Sequence, residues 1–230
     1  MLNRLISNLE QHDRDRVIPH MKPVTLPRLF VMAEPDKPAV RSYFLESGIG
    51  SVVAVSPGGS EAEVAIFGRE GMSPPNSLFE DDRAPFKVFV QVEGHGHSIE
   101  NEILFELLAE SRTFRRVLSR YAQTLFVQTA YTSLSNASHS IEKRLARWLL
   151  MVHDRSDSAS LPLTHDFLSA MLNVRRQSVT DSLHVLEGES FISNTRGLVT
   201  IRNRERLVAF AGDAYGVPEA EFERLIGSMR

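Results

Sequence analysis

No cysteine occurs among the 230 residues. Disulfides, thiol redox sensing and cysteine-ligated zinc or iron–sulfur centres are thereby excluded. There is also no apolar run of about 18 residues or more, so no transmembrane helix is expected and no membrane partner. The N-terminal MLNRLISNLEQHDRDRV has no continuous apolar core of the signal-peptide kind. It reads as an amphipathic helix with Leu2, Leu5, Ile6 and Leu9 on one face, and a cytoplasmic protein is expected. Nucleophile elbow, phosphate-binding P-loop, His-Glu-x-x-His and glycine-rich dinucleotide fingerprint are all missing, so an enzyme is not expected. An excess of basic charge is missing too: 26 Lys and Arg stand against 29 Asp and Glu, a net charge of −3. Only residues 139–210 lean the other way, with 10 Lys or Arg against 8 Asp or Glu, which fits a local nucleic-acid footprint without establishing one.

What is present changes character along the chain. From Val24 to Ile99 short β-branched runs alternate with the turn signals Ser47–Gly48, Pro57–Gly58–Gly59 and Gly68, the pattern of a β-barrel or β-sandwich. In FKVFVQVEG, Phe86, Val88, Val90 and Val92 alternate with Lys87, Phe89, Gln91 and Glu93, a strand with one polar-leaning face. Ser98 to Leu161 then holds neither Gly nor Pro. Within it Phe114, Val117, Leu118, Tyr121 and Leu125 recur at three- and four-residue steps and predict an amphipathic helix. Its stripe turns polar at Gln128, Thr132 and Ser135, and a two-fold dimer seam along it is the expectation. SLSNASHS should break this helix. IEKRLARWLLMVHD should form the next, with Leu145, Trp148, Leu149 and Val152 inward and RSDSASLP as a loop.

The segment THDFLSAMLNVRRQSVTDSLHVLE reads as two short helices with a tight break at Leu172–Asn173–Val174. Thr164 is a favourable N-cap and Asp166 suits the positive first turn. In the second helix Val179, Leu183 and Leu186 face inward and leave Arg176, Gln177, Thr180 and Asp181 outside. FISNTRGLVTI follows as a wing-like hairpin around Asn194–Thr195–Arg196–Gly197. This order matches a winged helix-turn-helix whose second helix enters the DNA major groove. There Arg176 can pair with guanine and Gln177 with adenine, while Arg175, Ser178 and Arg196 suit phosphates. The residues alone also allow a surface helical hairpin with solvated arginines, or a ligand-sensing or interaction module that does not touch DNA.

SIEKRLARWLLMVHDR, LTHDFLSAMLNVRRQSVTDSLHVLE and RGLVTI resemble, in order and spacing, the C-terminal half of the CRP/FNR superfamily of bacterial transcription regulators; YFLESGIGSVVAV and EVAIFGREGM resemble its sensor domain. The resemblance implies an α+β chain of three parts: an N-terminal double-stranded β-helix, or jelly-roll-like β-roll, over 1–110; a long dimerisation helix over 111–138 carrying Phe114, Val117, Leu118, Tyr121 and Leu125; and a winged helix-turn-helix over 139–230. It implies a homodimer on promoter DNA, with RNA polymerase as partner, and base-reading positions at Arg176, Gln177 and Asp181. The best-known readers of the family have Glu where Gln177 stands and Arg where Asp181 stands, so the half-site should differ. Cyclic-nucleotide-binding members use a cassette that corresponds here to FGREGMSPPNSLFEDDRAPF. Arg69, Glu70 and Arg83 mark a possible effector pocket. Yet Arg69 stands where the ribose carboxylate belongs, and Pro74 and Pro75 remove amide donors, so cAMP control is not expected. No cofactor is expected, and the effector is left unidentified. His95 and His97 in EGHGHS are candidates for a metal or haem, with no third ligand fixed by the sequence.

Overall fold

A computed structural model describes residues 3–229, so Leu2 lies outside the described residues. The N-terminal stretch forms two short helices, α1 (Arg4–Ser7) and α2 (Gln11–Val17), in place of one. Eight strands follow: β1 (Lys22–Leu26), β2 (Val31–Ala33), β3 (Arg41–Leu45), β4 (Ile49–Val55), β5 (Glu61–Phe67), β6 (Met72–Ser73), β7 (Lys87–Val92) and β8 (Gly94–Glu100). They make two four-stranded antiparallel sheets, ordered β1-β8-β3-β6 and β2-β7-β4-β5. Both sheets contribute to one core, Phe44, Leu45, Met72 and Ile99 from the first and Val52, Phe67, Val88 and Val90 from the second. Two facing sheets are the sandwich the turn signals imply, and the β-roll the resemblance implies.

Helix α3 (Asn101–Glu110) leads into α4 (Arg112–Ser138), the longest helix of the chain. Ser111 caps α4 through the Phe114 amide at 3.1 Å and donates to the buried Asp13 of α2 at 2.5 Å. Then come α5 (Ile141–Asp154), β9 (Ser160–Leu161), α6 (His165–Leu172), α7 (Arg176–Gly188), β10 (Ile192–Thr195), β11 (Leu198–Ile201), α8 (Arg204–Ala211) and α9 (Val217–Leu225). The loop expected at RSDSASLP supplies β9, which pairs with β11 and widens the wing to three strands.

The apolar stripe of α4 does not face a second copy. Phe114, Leu118, Tyr121 and Leu125 are buried in the β-roll core, with Val117 packed beside them. The helix follows the periodicity, but the dimer seam expected along Phe114, Val117, Leu118, Tyr121 and Leu125 is taken up by the β-roll of the same chain. The polar continuation of the stripe has the same explanation: the Gln128 side chain accepts from the Ile66 amide at 2.7 Å and donates to the Ile66 carbonyl at 3.1 Å. It thereby completes the free edge of β5, where unpaired backbone groups would be costly.

The last part of the chain has its own core, built from Leu145, Trp148, Leu149, Leu168, Leu172, Val179, Leu183, Leu186, Val199 and Leu207. Ile49 and Ile66 of the β-roll join it, so that the outer face of β4 and β5 is a packing surface. Beyond α8, α9 turns back: Phe222 is buried in the β-roll core, and Asn8 donates to the Ile226 carbonyl at 2.9 Å.

A carboxyl sits in the seam between the two cores. The β4–β5 register skips Val64, pairing Val52 with Ala65 and Val53 with Glu63. Glu63 accepts from the Trp148 indole at 2.7 Å and from Ser51 at 2.5 Å. Burial pushes its pKa from the usual 4.5 up to about 7, against the opposing pull of the two hydrogen bonds and of Arg147 and Arg155. The folded chain therefore holds a proton here that the unfolded chain releases above pH 4.5 or so. Stability from this group is full at low pH and is lost as pH rises through about 7, by on the order of 3 kcal/mol. Urea titrations from pH 5 to 8 should show the wild type losing that amount relative to Glu63→Gln, which keeps an acceptor for Trp148 and cannot ionise. Parallel profiles for the two proteins would reject a buried, titrating Glu63.

Candidate nucleic-acid interface

Helix α6 starts where Thr164 Oγ1 accepts from the Phe167 amide at 3.2 Å, and it buries Leu168 and Leu172. It stops at Asn173, whose φ of 50° and ψ of 52° lie in the left-handed region that asparagine tolerates. The chain reverses in that single residue, and the Val174 amide closes the turn on the Ser169 carbonyl at 3.0 Å. Helix α7 then begins at Arg176, with Arg175 in extended geometry as its N-cap and no side chain capping the first turn. The first amides of α7 stay available to an anion, with the positive end of the helix dipole behind them.

Spacing fixes which side faces out. Val179, Leu183 and Leu186 are fully buried, and Arg176, Gln177 and Asp181 are exposed on the opposite side. Arg175 also lies in solvent, and Ser178 is half-buried. In the wing, Thr195 pairs with Leu198 across the two-residue loop Arg196–Gly197. Gly197 has a φ of 75°, the positive value such a loop requires. Arg196 stands exposed at its tip.

The outward residues are not independent. Arg176 Nε lies 2.8 Å from Asp166 Oδ1, an ion pair from α7 to the first turn of α6. Gln177 donates to Asp181 at 2.8 Å. Thr180 is half-buried and engaged within the protein: its hydroxyl donates to the Arg176 carbonyl at 3.2 Å and lies 2.9 Å from His165 Nδ1. The other ring nitrogen of His165 is 3.3 Å from the Asn194 amide nitrogen, and the Asn194 backbone donates to Glu187 at 2.8 Å. His165 thus joins α6, α7 and the wing. Sequence reasoning missed it, although its place directly after the N-cap Thr164 puts it at the α6–α7 junction.

The expected effector residues do not converge. Glu70 is buried, accepting from the Gly68 amide at 2.9 Å and from Arg155 Nε at 2.7 Å. Arg69 pairs with Asp157 at 2.6 Å, and Arg83 pairs with Asp36 at 2.9 Å on the surface. The turn closed by the Gly71 amide on the Gly68 carbonyl carries Arg69 and Glu70 toward the α5–β9 loop, away from the roll interior. Beside α4 the space is filled. The Tyr121 hydroxyl donates to the Met72 carbonyl at 3.1 Å, and a Cβ on Gly71 would lie 2.3 Å from that oxygen. His95 and His97 belong to strand β8. They flank Glu46, with ring nitrogens at 3.9 and 3.6 Å from its carboxylate, and His95 Nδ1 is 2.7 Å from Ser47 Oγ. Among the described residues no group of three His, Asp or Glu side chains could hold a metal ion. Nor is any described helix long and apolar enough to cross a membrane.

Residues 143–210 match the Crp-like helix-turn-helix domain family. No curated protein matches the chain. Solved structures do. FixK2 from Bradyrhizobium japonicum is 14% identical with a TM-score of 0.72, over 84% of this chain and 98% of that one. The c-di-GMP-responsive global regulator CLP from Xanthomonas campestris is 17% identical, TM-score 0.66, covering 84% and 99%. A CRP/FNR-family transcriptional regulator from Thermus thermophilus is 19% identical, TM-score 0.62, covering 83% and 98%. At such identities these likenesses carry the fold, and the matched domain carries the DNA-binding element. Together with an outward-facing α7 and its wing, they give the chain the fold of these proteins and, over residues 143–210, a Crp-like helix-turn-helix domain.

Proposed function

We propose that the chain binds a pseudo-palindromic operator as a homodimer, each copy placing α7 in the major groove, and that cyclic AMP does not control it. The observation that carries the DNA reading is the polarity of α7: Arg176, Gln177 and Asp181 exposed, with Val179, Leu183 and Leu186 sealed in the core behind them. Asp181 cannot donate to guanine; it accepts from a cytosine amine or holds Gln177 in place. Arg175, Ser178 and Arg196 flank the reading face as phosphate contacts. Cyclic AMP lacks a seat because Arg69, Glu70 and Arg83 are paired elsewhere and Tyr121 fills the space beside α4. A regulator acting at promoters meets RNA polymerase there, the partner this reading implies.

The dimer seam lies on the other face of α4. Ser119, Gln123, Phe126, Ala130, Ser133 and Ala137 step by four and three along its exposed side, with Leu134 adjacent. Phe126 is 69% and Leu134 50% exposed, large apolar groups with no cover in the single chain. The small residues between them let two helices approach closely. Two copies related by a two-fold axis would read half-sites roughly 34 Å apart.

The test is a binding titration on an operator recovered from a random duplex pool, with single-base variants at several salt concentrations. Arg176→Ala should cost about 1–3 kcal/mol and relax preference at one position per half-site. Arg175→Ala should weaken all sequences alike and shallow the salt slope, since one phosphate fewer is neutralised per subunit. If Arg176→Ala keeps the full base preference, Arg176 is not a reader.

A further inference from the structure

Arg176 is the strongest candidate reader, and it does not stand alone. Its Nε is 2.8 Å from Asp166 Oδ1. Asp166 sits in the first turn of α6, two residues after the N-cap Thr164. His165, its neighbour in that turn, is fixed to Thr180 of α7 at 2.9 Å and to Asn194 of the wing at 3.3 Å. The carboxylate therefore projects from a turn that is itself anchored to the reading helix. In a helix-turn-helix the first helix crosses the phosphate backbone. A negative charge there opposes loose electrostatic attachment to any duplex. Lying beside Nε, it also restrains where the guanidinium can reach, toward the O6 and N7 of a guanine and away from the backbone.

We propose that Asp166 is a positioning residue that sets specificity: it holds Arg176 for base reading and keeps the guanidinium off the phosphates. The inference rests on Arg176 being a reader, as argued above. A free arginine on this face would swing to whichever phosphate came within reach. It would add affinity for every sequence and discrimination for none. The fixed pair trades that general affinity for selectivity, a repulsive element that works against the wrong partner. The exposed ion pair contributes little to folding, so its removal leaves the fold intact.

The experiment compares wild type, Asp166→Asn, Arg176→Ala and the double variant. The probes are an operator recovered from a random duplex pool, its single-base variants and a random-sequence duplex of equal length, each at several salt concentrations. Thermal melting confirms folding. Asp166→Asn should tighten random-duplex binding several-fold and steepen its salt slope by about one unit per subunit, as Arg176 takes up a phosphate. It should lower the ratio of operator to random affinity by about tenfold, the scale of one lost base discrimination, and relax the same base position that Arg176→Ala relaxes. In the Arg176→Ala background it should leave base preference unchanged. If Asp166→Asn raises both affinities by the same factor and keeps the base preference, the carboxylate is only a repelling charge and the proposal falls, while a relaxed Arg176→Ala keeps the reader. If Arg176→Ala itself keeps the preference, the reader assignment fails.

Discussion

A protein carrying Phe126→Glu and Leu134→Glu together should sediment as a single chain and lose tight operator binding. Both residues are at least half in water in the isolated chain, at 69% and 50% exposure, so the fold should tolerate the change within about 0.5 kcal/mol. Across a two-fold seam the same substitutions would bury four carboxylates against one another without partners, a cost no interface of this kind offsets. Losing the second half-site removes the effective-concentration gain of bivalent attachment, on the order of 100- to 10,000-fold in affinity. The contrast is Leu118→Glu. Leu118 is 1% exposed within the β-roll core, so a charge there should abolish cooperative folding instead of splitting a folded dimer. Light scattering and thermal melting on the two proteins separate the faces of α4. A dimer mass that persists in the double variant places the seam elsewhere.

The two faces of α4 also mark where sequence reading reaches its limit. The stripe Phe114, Leu118, Tyr121, Leu125 follows from spacing alone, yet spacing says only that something apolar covers it. The cover is the β-roll, whose strands lie far away in sequence. Conversely the free face, mixing Ser119, Gln123 and Ala130 with Phe126, gives a weak apolar signal. The helix-turn-helix was legible because its determinants are local. Thr164 caps, Asn173 adopts the left-handed turn, Gly197 permits the wing loop, and Val179, Leu183 and Leu186 mark the inner face. In the cassette a family pattern places residues in order but does not say where their side chains go. Glu70 illustrates this: its partner Arg155 lies 85 residues on, at the end of α5. Asp166 was read as complementing a helix dipole, and its second role depends on Arg176, a contact that only the α6–α7 crossing creates.

Removing Glu70 should be among the costliest single changes in the chain. Its carboxylate and the Arg155 guanidinium are 2% and 1% exposed and meet at 2.7 Å. Each is further satisfied: Glu70 accepts from the Gly68 amide at 2.9 Å, and Arg155 donates to the Met151 carbonyl at 2.8 Å. Burial works against the charge on Arg155, but the carboxylates Glu70, Asp154 and Glu219 more than offset it and hold its pKa above the ordinary value. Glu70→Ala would leave a sealed guanidinium without its main partner and should cost about 3–5 kcal/mol in urea unfolding. Arg155→Ala should cost a comparable amount, because it leaves the buried Glu70 carboxylate without its main partner. The combination Glu70→Met with Arg155→Met should recover most of the loss, because apolar groups of similar volume need no partner. The Gly68 amide would still lack an acceptor, so recovery should stop about 1–3 kcal/mol short. The pair joins the turn after β5 to Arg155, the C-cap of α5, and so ties the β-roll to the helix-turn-helix unit. The single variants should therefore loosen the seam first, exposing Trp148 to solvent at urea concentrations where the β-roll is still folded, an effect its fluorescence would report. A cost below about 1 kcal/mol for Glu70→Ala, with no change in Trp148 emission, would mean that water reaches the pair and that the two units are held by Glu63, α9 and apolar contact instead.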